Sequence, residues 1–112
     1  RQEPALKRNP QLSELEQKLK QNSYRELQQL LKYQRFPRAI ALIEGLAERI
    51  PQDVEIRQWQ AITYQRFGRA LIQDKKLEKA RIYLKKALKT DPHNRALWIE
   101  VERDFRQLEK VY

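Results

Sequence analysis

Cationic side chains at helical spacing are the residues of this sequence best suited to chemistry. Arg25, Gln28 and Lys32 recur at steps of three and four, as do Ile62, Arg66, Arg69 and Gln73, and again Ala96, Glu100, Arg103 and Gln107. On an α-helix that spacing places each set on one face. Arg25, Lys32, Arg66, Arg69 and Arg103 set five positive charges against the one negative charge of Glu100. Such a set suits carboxylate recognition, because a guanidinium pairs with a carboxylate through two parallel hydrogen bonds. An extended acidic peptide is the matching ligand. Charges on an outward helix face also keep it wet, and that plainer reading stays open. Trp59 falls beside Ile62 at the edge of the face, either as an aromatic anchor for a partner or as a side chain packed on the preceding helices.

Catalysis has few candidates. There is no cysteine, which excludes thiolate metal sites, disulfides and cysteine nucleophiles. His93 is the single histidine, so no histidine pair can hold a metal. Asp53, Asp74 and Asp91 each stand where a helix needs a cap. The two glycines, Gly45 and Gly68, lie inside helical patterns, so no glycine-rich phosphate loop exists. Neither enzyme activity nor a cofactor is expected.

The elements that must carry these residues read as all-α. Residues 1–8 have no periodicity and read as a disordered end or linker. Asn9-Pro10 resembles the start of a short helix bearing Leu12, Leu15 and Leu19. Ser23-Tyr24-Arg25-Glu26 has the form of a capping box opening the next helix, which should stop near Gln34. A helix after Pro37 buries Ala39, Ile40, Ile43, Leu46 and Ala47 and ends by Pro51, with Gly45 suggesting a close approach. Asp53 caps a helix over 54–73, Asp74 one that ends near Thr90, and Asp91-Pro92 opens the last, with Trp98, Val101, Phe105 and Leu108 as its stripe.

Tyr64, Phe67, Gly68 and Leu71, followed by Ala80, Leu84, Ala87 and Pro92, describe two antiparallel helices touching closely at Gly68 and Ala80. Such a hairpin leaves apolar edges that invite stacking, and stacked pairs make grooves. The predicted domain is a hairpin over 22–50, a second over 54–90 and a capping helix over 92–110 with Glu102, Arg106, Glu109 and Lys110 outward. At 112 residues the chain suffices for one small core. It begins at Arg1, not at methionine, which suggests a piece of a longer protein. No apolar run reaches the roughly 20 residues that span a bilayer.

Net charge is +9, from 24 Lys and Arg against 15 Asp and Glu. Such a field favours acidic peptide tails, RNA or DNA, or anionic lipid heads. Lys75, Lys76, Lys79, Arg81, Lys85, Lys86 and Lys89, against Glu78, make the surface of residues 66–89 the candidate for phosphate contact. It lacks the exposed aromatics that stack bases.

Laying Pro51 over Pro92, an offset of 41, aligns Ala39 with Ala80, Ile43 with Leu84, Phe36 with Leu77 and Leu30 with Leu71. This internal repeat resembles the tetratricopeptide repeat, a helix–turn–helix unit of ~34 residues. Residues 61–94 match it closely, with Tyr64 for the usual tryptophan and Phe67 for the usual leucine. Residues 20–53 match less well, with Ser23 in place of a large aromatic and Leu27 in place of glycine. Residues 95–112 look like the first helix of a third unit. The extra ~7 residues of the offset fall before Ala61, so the third main helix is longer at its start.

The resemblance implies an α-α superhelix whose concave groove is lined by Arg25, Lys32, Trp59, Ile62, Arg66, Arg69 and Arg103. It implies a non-catalytic protein–protein interaction module for an acidic segment. Chaperone-binding members hold a terminal carboxylate with a Lys/Asn clamp; the aligned residues here are Tyr24, Gln28, Arg66, Ala96 and Glu100, so only Arg66 keeps that chemistry. The texture of Arg35–Ala47 and Tyr83–Asn94 is similar to the repeat region of cyanobacterial J-domain (DnaJ-type) proteins, which implies a cytoplasmic co-chaperone setting and a chaperone partner. Nucleic-acid binding, a purely structural scaffold and self-association as a homo-oligomer are the alternatives.

Overall fold

The computed structural model describes residues 9–110; the linker expected over 1–8 lies outside them. Five α-helices follow in order: α1 (Glu14–Lys32), α2 (Phe36–Arg49), α3 (Val54–Gln73), α4 (Leu77–Thr90) and α5 (Arg95–Lys110). The described residues are all-α, with helices paired as hairpins and no strand among them. The chain divides into two compact units, Arg1–Ile56 and Arg57–Tyr112, so the boundary falls within α3.

In the first unit, α1 starts ten residues earlier than the capping box at Ser23 predicts, its cap being Ser13. Ser-x-x-Glu occurs twice, and the copy at Ser13 forms the cap. Ser13 Oγ accepts from the Glu16 N–H at 3.1 Å, and Glu16 Oε1 accepts from the Ser13 N–H at 2.9 Å. Each group thereby satisfies a donor the helix leaves open. Nothing breaks the backbone between Leu19 and Ser23, so the second copy lies mid-helix, with Ser23 buried beside Lys20 and Leu27. Asn9-Pro10 opens a turn in place of the expected helix, and the Asn9 carbonyl accepts from the Leu12 N–H.

α1 ends in a left-handed residue, Gln34 at φ 56°. The Gln34 N–H reaches the Leu31 carbonyl at 3.1 Å and the Arg35 N–H the Leu30 carbonyl at 2.8 Å, a Schellman closure that satisfies the last carbonyls. α2 then buries Phe36, Ala39, Ile43 and Leu46, while Ile40 and Ala47 are half-buried. Gly45 has nothing within 4 Å of where a Cβ would stand, so the close approach expected there does not occur.

In the second unit α3 and α4 fold back on each other. A Cβ on Gly68 would stand 2.7 Å from Leu84 Cδ2 and 3.4 Å from the Ala80 carbonyl oxygen, so any larger residue must push the fully buried Leu84 side chain aside. Rings confirm the antiparallel sense: Tyr83 lies 6.0 Å from Tyr64 and 4.7 Å from Phe67, centroid to centroid. Ala80, Leu84 and Ala87 are fully buried.

Asp74 does not cap α4. It belongs to a second Schellman closure, with Lys75 at φ 63° and the Lys76 N–H on the Leu71 carbonyl at 2.9 Å, and α4 begins without a side-chain cap. α5 is capped by Asn94, whose Oδ1 accepts from the Leu97 N–H at 3.1 Å; Asp91 instead holds the Asn94 amide. The buried stripe is Leu97, Val101, Asp104 and Leu108. Trp98, expected in the core, is 48% exposed, its indole N–H donating to the Pro92 carbonyl.

Candidate functional site

The unit formed by residues 57–112 carries a cleft of about 410 Å³ lined by Arg69, Ile72, Gln73, Lys75, Arg103, Asp104 and Gln107. Four of these, Arg69, Gln73, Arg103 and Gln107, belong to the faces that the sequence spacing singles out. α3 brings Arg69 to the cleft about one turn before its end, and the left-handed turn after it brings Lys75. α5 supplies the opposite wall.

Between these walls lies a polar network. Asp104, buried on the core side of α5, accepts from Gln65 Nε2 at 2.7 Å and from Arg69 Nε at 3.0 Å. Arg69 Nη2 also pairs with Glu100 Oε2, and the other oxygen, Glu100 Oε1, accepts from Arg103 Nη1 at 3.2 Å. Burial opposes the Arg69 charge, but the hydrogen bonds to Asp104 and Glu100 outweigh it and hold its pKa above the ordinary value. Arg69 is therefore fixed and charged.

This alters the expected balance. The tally of five cations against Glu100 omits Asp104, so in this unit the three cations Arg66, Arg69 and Arg103 are balanced against two carboxylates, and Arg69 pairs with both. Arg69 is a strut shared by the two helices, and its charge is neutralised within the fold. Arg66 and Arg103 remain exposed, as does Lys75. Ile62 and Trp59 are half-buried, and the Trp59 carbonyl accepts from Thr63 Oγ1 at 2.8 Å. In the other unit Arg25 and Lys32 are exposed on α1, with Lys32 Nζ 5.5 Å from the Tyr33 ring centroid.

Sequence reasoning missed Asp104, Gln65 and Lys75. Asp104 left a signal: it is the one acid at the spacing of Leu97, Val101 and Leu108, and a buried carboxylate needs a donor. Lys75 left none, because its place in the cleft follows from a turn geometry that lysine does not advertise.

The lysine face of α4 is less bare of aromatics than expected. Lys86 Nζ lies 4.9 Å from the Tyr64 centroid and Lys79 Nζ 5.6 Å from that of Phe67, with Tyr83 half-buried between them. Cation–π attraction holds these heads along the rings.

Among the described residues no group of His, Asp or Glu could hold a metal ion, and no helix is long and apolar enough to cross a membrane. Compared with protein families, curated proteins and solved structures, the chain finds no match.

Proposed function

We propose that this chain is a non-catalytic, tetratricopeptide-like interaction module that takes an acidic, extended peptide segment of another protein. The single observation carrying this reading is the cleft of the second unit, where Lys75 and Arg103 stand exposed beside the fixed Arg69. Guanidinium and ammonium donors converging on a concave wall favour a carboxylate, and Gln73 and Gln107 add neutral donors for a peptide backbone. Arg66 on the same face of α3 adds to the attracting field. The co-chaperone setting in the cytoplasm, within a larger protein, belongs to this proposal and rests on the repeat texture alone.

A second reading, phosphate contact by RNA or DNA, draws on the exposed Lys76, Lys79, Lys85, Lys86 and Lys89 beside the half-buried Tyr83. The two readings rank variants oppositely. Fluorescence anisotropy with a labelled oligoglutamate peptide should lose about tenfold in affinity on Arg66→Glu with Arg103→Glu. Reversing Lys85, Lys86 and Lys89 should matter less. A labelled single-stranded RNA should show the reverse order if the second reading holds. If neither probe responds to either set, the scaffold alternative takes their place.

A further inference from the structure

Glu100 offers each carboxylate oxygen to a different guanidinium, Oε2 to Arg69 and Oε1 to Arg103. That is the grip a ligand carboxylate would receive at this wall. We infer that Glu100 is a built-in surrogate for the ligand: an acidic side chain of the peptide displaces it from Arg103 and Arg69, so the site regulates its own affinity. This rests on the acidic-peptide reading and names the seat within it.

Three observations carry the inference. The first is unequal anchoring of the two acids. The Asp104 side chain is 6% exposed and holds Gln65 and Arg69 together, so it stays in place. The Glu100 side chain is 38% exposed and leans on Arg103, itself 70% exposed. Exposed pairs of this kind contribute little and exchange readily. The second is attachment: Arg69 remains charged and oriented by Asp104 when Glu100 leaves, so the seat survives the exchange. The third is position. Arg69, Arg103 and Asp104 all line the cleft, and Lys75 lines it too, on the side of Arg69, to receive a neighbouring acidic group. Glu100 thus competes from within, at the high local concentration that tethering gives.

The exchange makes an unusual prediction: removing an acid from the site, without adding any contact, tightens binding. Glu102 provides the matched control, because it lies on the same helix and pairs instead with Arg106 at 2.7 Å. Glu102→Gln changes the net charge by the same amount as Glu100→Gln. Anisotropy titrations of the full chain with a fluorescein-labelled oligoglutamate peptide test this, with circular dichroism verifying that each variant is folded. Glu100→Gln should bind about fivefold tighter than the unaltered chain, whereas Glu102→Gln should stay within about twofold. Equal tightening in both variants would reduce the effect to overall field and overturn the inference. Weaker binding by Glu100→Gln would assign Glu100 to positioning the arginines and overturn it too. In either case the acidic-peptide reading survives if the unaltered chain binds and Arg103→Glu weakens it. Absence of binding in both the unaltered chain and Glu100→Gln would overturn that reading, and the inference with it.

Discussion

Among the described residues, each unit of the molecule holds a cation between two carboxylates, Lys20 in the first and Arg69 in the second, and the two arrangements differ in burial. In the first unit Lys20 is 1% exposed, with Nζ 2.9 Å from Asp53 Oδ2 and 2.8 Å from Glu55 Oε1. Asp53 at the same time caps α3 through the Ile56 N–H at 3.0 Å and accepts from the Asn9 amide. In the second unit Arg69 is held by Asp104 and Glu100, yet its side chain is 42% exposed beside a cleft. The first cluster also borders a cleft, of about 380 Å³, but its cation and Asp53 are buried, and only the half-buried Glu55 reaches toward water. The second has one sealed acid and one wet acid, and the wet one leaves room for an exchange. Burial, not composition, separates a structural ion cluster from a candidate binding one.

The contrast can be broken most forcefully at Lys20. Lys20→Ala strands the Asp53 carboxylate in the interior, and urea denaturation should report a loss of about 3–5 kcal/mol. A loss under ~1 kcal/mol, the range of exposed pairs, would erase the distinction between the clusters.

Titration sharpens the same point. Burial opposes the Lys20 ammonium, but hydrogen bonds to Glu55 and Asp53 outweigh it and raise its pKa above the ordinary 10.5. Its stabilising effect is complete below 10.5 and disappears as pH rises through the higher folded value. Burial likewise pushes Asp53 up, yet bonds from Lys20, the Ile56 N–H and Asn9 bring it below 3.8. That contribution is present above 3.8 and is lost as pH falls through the lower folded value. Arg69 does not deprotonate in any accessible range, so the second unit has no matching alkaline limb. The urea midpoint should therefore fall at high pH in the unaltered chain, and this fall should be much reduced in Lys20→Met.

The smallest effect is expected at the wet side of the second cluster. Arg103→Ala should change the unfolding free energy by no more than about 0.5 kcal/mol while weakening binding of the acidic peptide. A large stability loss there would make Arg103 part of the framework.

How much of this was legible beforehand follows from local rules. α3 was readable to the residue, because Asp53 caps it and a polar turn follows Gln73. The Gly68–Ala80 crossing was readable because two small residues at matching places leave few other uses. α1 was misjudged since Ser-x-x-Glu describes two sites equally well, and only the absence of a break before Ser23 decides between them. In the helix after Pro92 the stripe keeps Val101 and Leu108, but choosing the aromatics Trp98 and Phe105 over their neighbours Leu97 and Asp104 displaces two of its four positions and hides the buried acid. The two carboxylates of the candidate site were only half visible, because burial of an acid depends on the helix opposite.

The paired left-handed turns carry a practical corollary. Gln34 and Lys75 are separated by the repeat offset of 41, and both occupy a backbone geometry in which a side chain is a burden of about 1 kcal/mol or more. Glycine would relieve it at either site, yet with opposite results for a partner. At position 34 the exchange should only toughen the protein. At position 75 it should toughen it and remove a cation from the cleft together, so a screen for heat resistance would select against the contact proposed for the acidic peptide.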